Sequence, residues 1–115
     1  MVYNESVSRK HNTEENLEML INKTTNGSEL VIAIEGRLDT TTAPQLEKEI
    51  EALNGVTDLI VDMEKLVYVS SAGLRVLLKA QKVMNKQGKM TVKNINQEIK
   101  DIFEVTGFDE LLNIE

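Results

Sequence analysis

The sequence predicts an α/β domain built on a small mixed β-sheet of four to five strands flanked by helices. Short apolar runs alternate with amphipathic segments, and glycine-containing breaks separate them. The resulting order is strand, strand, helix, strand, helix, strand, helix, which contains two crossover units. With 115 residues, of which 41% are apolar and 28% charged, the chain has room for one such core.

The N-terminal part of the chain predicts a tail and two strands. Met1 to Asn16 shows no sustained hydrophobic period, so we interpret it as a polar tail before a folded domain. Leu17–Ile21 is apolar enough for a first strand, and Asn26-Gly27 is typical of a hairpin turn. Leu30–Ile34 is continuously apolar, which predicts a central strand covered on both faces and ended by Gly36.

A helix and a buried strand are predicted next. Thr42 and Gln45 fit a capping box, in which each side chain bonds the backbone N–H of the other residue. Asn54-Gly55 is a stop signal, so the first helix lies between these two features. Leu59–Val61, together with Met63, then predicts a buried strand, with Asp62 at its carboxyl end.

The remaining chain predicts two helices and an edge strand. Ala72–Gln87 is amphipathic throughout and forms the long helix of the prediction. Met90–Val92 alternates like a strand near the edge of the sheet. Apolar residues within 99–103 mark a last helix that ends at Gly107, followed by a short apolar tail at Leu111-Leu112.

Polar residues are predicted to gather at one edge of this sheet. Asp39 follows the second strand, Asp62 closes the third, and Ser70-Ser71 opens the long helix. Because neighbouring parallel strands end at the same edge, these residues should lie side by side. Each also has a structural alternative: a turn former at Asp39, a strand-end residue at Asp62, and a helix cap at Ser70 or Ser71.

The two serines stand where negative charge is well accommodated. A helix N-terminus has free backbone N–H groups and the positive end of the helix dipole. A phosphoryl group there would add a charge of roughly −1.5 to −2. The same helix carries a basic stripe, which is usually a solvated face but could meet an acidic partner. The basic stripe consists of Arg75, Lys79, Lys82 and Lys86.

The composition argues against several classes of protein. A net charge of −6 disfavours nucleic-acid binding, and no apolar run approaches the ~20 residues that cross a bilayer. The chain has no cysteine and one histidine, His11, which lies far from the serines in sequence. A serine hydrolase is therefore disfavoured, because no base is expected near the serines. The glycine that precedes the nucleophile in a Gly-x-Ser-x-Gly elbow is also absent. We expect a cytoplasmic protein that is not an enzyme and has neither cofactor nor metal.

Two segments resemble the signatures of STAS-domain anti-sigma-factor antagonists. Gly36–Ala43 is similar to the first signature. Ile60–Met63 followed by Val69–Leu78 is similar to the second, at the expected separation. The resemblance runs from about Leu17 to the C-terminus, which implies a tail at 1–16 and a STAS-type domain at 17–115. It departs from the family at Ser70, where many members carry an aspartate.

The resemblance implies a role in partner switching. Family members bind an anti-sigma factor that is also a serine kinase, and so release a sigma factor. The kinase phosphorylates the serine at the helix start, the pair separates, and a serine phosphatase restores binding. By its place in the motif that serine is Ser71, with Ser70 as a minor alternative. The predicted partner-binding residues are Asp39, Thr40, Asp62, Ser70, Ser71, Gly73, Arg75 and Lys79.

Other members of the family have different roles. They serve as subunits of stress-sensing assemblies, as accessories of lipid transport, or as cytosolic modules of anion transporters. The short chain disfavours the last of these, and the intact phosphoacceptor motif favours partner switching. An accessory role in a lipid-transport or stress-sensing assembly stays as the alternative.

Overall fold

The computed structural model describes residues 2–4 and 19–115, and these form a five-stranded sheet with three α-helices. The strands are β1 Val2–Asn4, β2 Met19–Asn26, β3 Glu29–Leu38, β4 Asp58–Val69 and β5 Lys89–Lys93, and the helices are α1 Ala43–Glu51, α2 Ser71–Gln87 and α3 Gln97–Thr106. The strands lie in chain order, with β1, β2 and β3 antiparallel and β3, β4 and β5 parallel. This confirms the predicted fold class and the order of the predicted elements.

β1 is a strand that the sequence did not predict. Val2 pairs with Thr24 and Asn4 with Asn22, so the polar-tail interpretation is wrong for these three residues. A run this short gives no measurable period, and pairing with β2 decides its conformation. The rest of that tail lies outside the described residues, as do Leu17 and Glu18 at the predicted start of the first strand.

The sheet is deeply buried on one face only. Along β3, Ile32 and Ile34 are buried whereas Val31 and Ala33 stay half-exposed. The expectation that this strand is covered on both faces is therefore wrong, although all these side chains are apolar. The buried strand residues share one core with helix residues such as Leu46, Leu77 and Phe103. No described helix has both the length and the apolar character needed to span a bilayer.

β4 continues well beyond its predicted end and contains two irregularities. Ala33 pairs with Asp62 but Glu35 pairs with Lys65, so β4 has one residue more than β3 in that interval. A second extra residue, Val67, follows between the pairs that β3 makes at Gly36 and Arg37. Gly36 has a φ of 98°, a left-handed conformation that suits glycine, and β3 continues past it.

The helix starts use different caps. Thr42 is the N-cap of α1, but its side chain makes no capping bond, so the predicted capping box does not form. Its hydroxyl instead donates to the carbonyl oxygen of Arg37 (2.8 Å) and accepts from the N–H of Asp39 (2.8 Å). Asn96 caps α3 by accepting from Ile99 N–H at 2.9 Å, and Gly107 ends that helix as predicted.

The C-terminal segment lies along the edge strand β5. Val92 N–H donates to the carbonyl oxygen of Asn113 at 2.8 Å, and Glu115 N–H donates to that of Val92 at 2.9 Å. Leu112 is buried, whereas Leu111 is exposed. Only one residue of the predicted apolar tail therefore joins the core.

Candidate functional site

The ends of β3 and β4 bring two loops together. Leu38 pairs with Val69, and the next N–H, from Ser70, donates to the carbonyl oxygen of Leu38 at 2.9 Å. The chain then enters the Asp39 loop on one side and α2 on the other. The predicted meeting of Asp39 with the serine pair at one sheet edge thus follows from direct backbone pairing.

The two serines have different structural roles. Ser70 is the N-cap of α2, with an extended backbone, and its Oγ accepts from Gly73 N–H at 3.4 Å. Ser71 is the first helical residue and is exposed. The structural alternative, a helix cap, therefore holds for Ser70, which leaves the Ser71 hydroxyl open to solvent beside the free N–H groups of the first turn.

Gly73 seats the start of α2 on the end of β3. A Cβ at this position would lie 2.6 Å from Leu38 Cγ and 2.8 Å from the Leu38 carbonyl oxygen. These distances leave no room for a side chain, and Gly73 is itself buried. Gly73, predicted as a partner contact, therefore positions the serines from beneath the surface.

Asp39 organises the loop that follows β3. Its Oδ1 accepts from Thr41 Oγ1 at 2.8 Å, from Thr41 N–H at 3.0 Å and from Thr42 N–H at 3.3 Å. These bonds, led by that from the Thr41 hydroxyl, lower the pKa of Asp39 below its ordinary value of 3.8. The carboxylate is thus charged at neutral pH, and the turn-former alternative describes one of its two oxygens.

The second oxygen of Asp39 faces an arginine. Arg37 Nε lies 3.5 Å from Asp39 Oδ2, and the guanidinium carbon lies 4.3 Å from the centre of the Tyr68 ring. Tyr68 is the cross-strand partner of Arg37, and the exposed Val67 precedes it. The sequence prediction missed this group, because the pairing depends on the irregularities in β4.

A groove between α1 and α2 continues the site. It has a volume of about 380 Å³ and begins at the exposed Thr40 and at Ala72. Lys79 bridges it, with Nζ 2.7 Å from Glu47 Oε2 and 3.9 Å from Glu51 Oε2. Hydrogen bonding to Glu47 raises the pKa of Lys79. The groove is lined by Thr40, Ala43, Pro44, Glu47, Ala72, Arg75, Val76 and Lys79.

The basic stripe is exposed along its length, but its members differ. Lys79 is engaged by acidic residues of α1, as just described. Arg75, Lys82 and Lys86 form no ion pair with any residue in the described part of the chain. The positive field of the stripe therefore comes mainly from three side chains, of which Arg75 lies nearest to Ser71 in sequence.

Asp62 lies outside this site, contrary to the sequence prediction. β4 runs seven residues beyond Asp62, which at ~3.3 Å per residue puts Asp62 roughly 20 Å from the end of the strand. Its Oδ1 accepts from Glu64 N–H at 3.0 Å and from Asn94 Nδ2 at 3.0 Å. The structural alternative, a strand-end residue held by backbone N–H groups, fits only the Glu64 contact, because Asp62 lies within the strand and its other donor is a side-chain amide.

Metal-ligating side chains do not cluster at this edge. Within residues 2–4 and 19–115, no three His, Cys, Asp or Glu side chains are arranged to hold a metal ion. The chemistry available at the edge is that of an exposed hydroxyl, a charged carboxylate and nearby cations. Such a set can accept or recognise a charged group.

Comparisons with known proteins give consistent matches. A sequence model of the STAS domain matches residues 20–115. BtrV of Bordetella bronchiseptica, a candidate anti-sigma factor antagonist, is 34% identical over 82 residues, covering 69% of this chain and 71% of BtrV.

Solved structures show the same fold. An anti-sigma factor antagonist from Mycobacterium paratuberculosis superimposes with a TM-score of 0.76 at 21% identity, covering 84% of both chains. The Bacillus cell fate determinant SpoIIAA, solved in its phosphorylated form, gives a TM-score of 0.66 at 19% identity, covering 83% of this chain and 90% of SpoIIAA. At these identities the two structures support the fold alone.

Proposed function

Because the chain belongs to the STAS domain family, we propose that it is an anti-sigma-factor antagonist that works by partner switching. When Ser71 is unmodified, the protein binds an anti-sigma factor that is also a serine kinase. That kinase phosphorylates Ser71, the complex separates, and a serine phosphatase restores the binding form. The protein acts in the cytoplasm as a binding module without catalytic activity of its own.

The main support for this proposal is that the two serines have different structural roles. Ser70 is committed to capping α2, and Ser71 is exposed at the first helical position. Asp39 lies just after the end of the neighbouring strand β3, and a kinase bound at Ser71 would contact it there. The name of BtrV points to the same role for a relative, and the structure of SpoIIAA in its phosphorylated form shows that a protein with this fold accepts the modification.

The proposed partner surface surrounds Ser71. Asp39 and Thr40 supply it from the β3 loop, and Arg75 and Lys79 supply it from α2 along the groove. Ser70 and Gly73 fix the geometry of the helix start without offering much surface of their own. Asp62 is not included, because of its distance from this edge.

Charge accounts for release in this mechanism. The N–H groups at the start of α2 tolerate an anion, so phosphorylation creates little strain within the domain. In a complex, the same group must be desolvated and meets any acidic residues of the partner. Like charges brought together at an interface cost several kcal/mol. Dissociation therefore needs no refolding of the antagonist.

Affinity capture tests the proposal directly. Tagged Ser71→Ala protein should retain an ATP-dependent serine kinase from a cell extract, and Ser71→Asp should not retain it. The captured kinase and ATP should then add one phosphoryl group to the wild-type protein and to Ser70→Ala, but none to Ser71→Ala. Intact-mass measurement reads out each case, and circular dichroism confirms that Ser70→Ala still folds without its cap.

Two results would contradict the proposal. Normal phosphorylation of Ser71→Ala would move the acceptor to Ser70 or to the N-terminal residues. Recovery of transporter or stress-assembly components, equally with Ser71→Ala and Ser71→Asp, would favour an accessory role instead.

A further inference from the structure

We infer that Arg37 holds the phosphoryl group of phosphorylated Ser71 within the same molecule, an inference that rests on the proposed modification of Ser71. Arg37 is half-exposed, with 51% of its side-chain surface accessible. Only its Nε faces Asp39, so the N–H donors on its two terminal nitrogens have no hydrogen-bond partner among residues 2–4 and 19–115. A guanidinium with free donors in a planar fork suits a phosphate oxygen pair.

The contacts of Arg37 fix its guanidinium at the sheet edge. The group lies over the Tyr68 ring and also reaches the carboxylate of Asp39, two residues farther along the chain. Because Leu38 pairs with Val69, Asp39 is level with Ser70. The guanidinium therefore lies beside a loop residue that is level with Ser70, the residue immediately before Ser71.

Arg75 is the rival phosphate ligand. It lies four residues after Ser71 on α2, a spacing that brings two side chains to the same helix face. However, Arg75 forms neither an ion pair nor a hydrogen bond with another described residue, so binding a phosphate would require it to lose rotamer freedom. Arg37 is already ordered by its ring and carboxylate contacts, and preorganised groups lose less entropy on binding.

The inference has a consequence for the phosphorylated state. A cation beside the phosphate stabilises its dianionic form and so lowers the second pKa of phosphoserine, which is ordinarily about 6. The antagonist would thus carry its own counter-ion for the modification, whichever partner added it.

The experiment installs phosphoserine at position 71 during translation, so that no kinase is involved. Titration followed by phosphorus NMR should show that Arg37→Gln raises the second pKa of phosphoserine by about 0.5. Lys65→Gln is the matched control, because it removes one exposed cation from β4, next to Glu35 and farther from the edge, and should leave that pKa unchanged. In the wild-type protein, the Nε–H signal of Arg37 and the Tyr68 ring signals should shift on modification.

Each other outcome overturns the inference. If Arg75→Gln raises that pKa and Arg37→Gln does not, the ligand is Arg75. If neither substitution changes it, the phosphate is solvated and has no ligand in this chain. Arg37→Lys keeps the charge without the planar fork, so its phosphoserine pKa should lie between those of the wild type and Arg37→Gln. This variant replaces Arg37→Gln in the titration if Arg37→Gln folds poorly. Failure of any kinase to modify Ser71 would be seen only in the separate capture assay.

Discussion

The two carboxylate oxygens of Asp39 have separable roles. Oδ1 receives the bonds that shape the loop, and Oδ2 carries the charge that faces Arg37. Asp39→Asn keeps an oxygen in the first role and loses the anion, so we expect a smaller loss of stability than in Asp39→Ala and roughly tenfold weaker kinase binding, or ~1.4 kcal/mol. Calorimetric titration and thermal unfolding measure the two effects independently.

Asp39→Ala is the contrasting variant, because it removes both roles. We expect its free energy of unfolding to fall by about 1 kcal/mol, as when a capping side chain is lost. Kinase binding by Asp39→Asn at the wild-type affinity would reduce Asp39 to a turn residue.

The lowered pKa of Asp39 predicts how that stability depends on pH. A carboxyl group whose pKa is lower in the folded state stabilises the fold above its unfolded pKa. That contribution is lost as the pH falls through the lowered value. The difference in melting temperature between wild type and Asp39→Ala should therefore be full at pH 6 and shrink below about pH 4. A gap that stays constant down to pH 2 would show that the charge of Asp39 does not contribute.

Gly73 tests how firmly α2 is seated. In Gly73→Ala the new methyl group meets Leu38 at 2.6 Å and 2.8 Å, so the helix start must move or the strand end must yield. We expect the free energy of unfolding to fall by about 1–3 kcal/mol, although alanine favours a helix by ~1 kcal/mol. Chemical denaturation measures this loss.

Leu38→Ala provides the control for the Gly73 clash. It removes the side-chain atom nearest the new methyl group, so the double variant should lose less stability than the sum of the two single variants. Strict additivity, or a stabilised Gly73→Ala, would mean that the two elements move independently.

At the scale of elements, β4 is the strand whose end the sequence pattern predicted incorrectly. Its buried residues Met63, Leu66 and Val69 are spaced by three, because each irregularity adds one residue. A search for alternation ends such a strand at Met63 and puts Asp62 at the wrong edge. The pairing with β3, which carries the strand onward, involves residues about thirty positions apart, and no local pattern records it.

The ion pairs of Lys79 join α1 to α2 beside the site. Lys79→Met should lower the melting temperature slightly, and the difference from wild type should shrink in high salt, because exposed ion pairs are screened. Lys82→Met is the control, since Lys82 pairs with no described residue. Differential scanning calorimetry at two salt concentrations measures both variants. If the two variants lower the melting temperature equally, the contact between Lys79 and Glu47 makes no specific contribution to stability.

At the scale of the whole molecule, the parallel strands explain which predictions held. Apolar runs and glycine breaks were enough to order the elements, and parallel crossovers place successive strand ends at one edge. Asp39 and the serine pair were therefore predicted together correctly. The burial of one sheet face, the separate roles of Ser70 and Ser71, and the Arg37–Tyr68 contact depend on packing between distant segments, which composition and period do not encode.

Phosphorylation should leave the body of the domain unchanged. Packed cores resist the perturbation that one surface group can apply. We expect backbone amide shifts confined to the Asp39 loop, the end of β3 with Arg37, the Ser71 region and the first turn of α2, as measured by heteronuclear NMR of the unmodified and phosphorylated forms. Shifts spread through β2 and β5, with partner binding lost only when they occur, would favour a conformational mechanism.

The close contact between Gly73 and Leu38 also has a consequence for the rate of partner release. Because the start of α2 cannot slide, no slow rearrangement of the domain should follow phosphorylation. Partner release should therefore begin as soon as the phosphate is present. Stopped-flow release of the partner should follow a single exponential without a lag. The pace of the switch would then be set by the two enzymes that write and erase the phosphate, and the antagonist itself would add no delay.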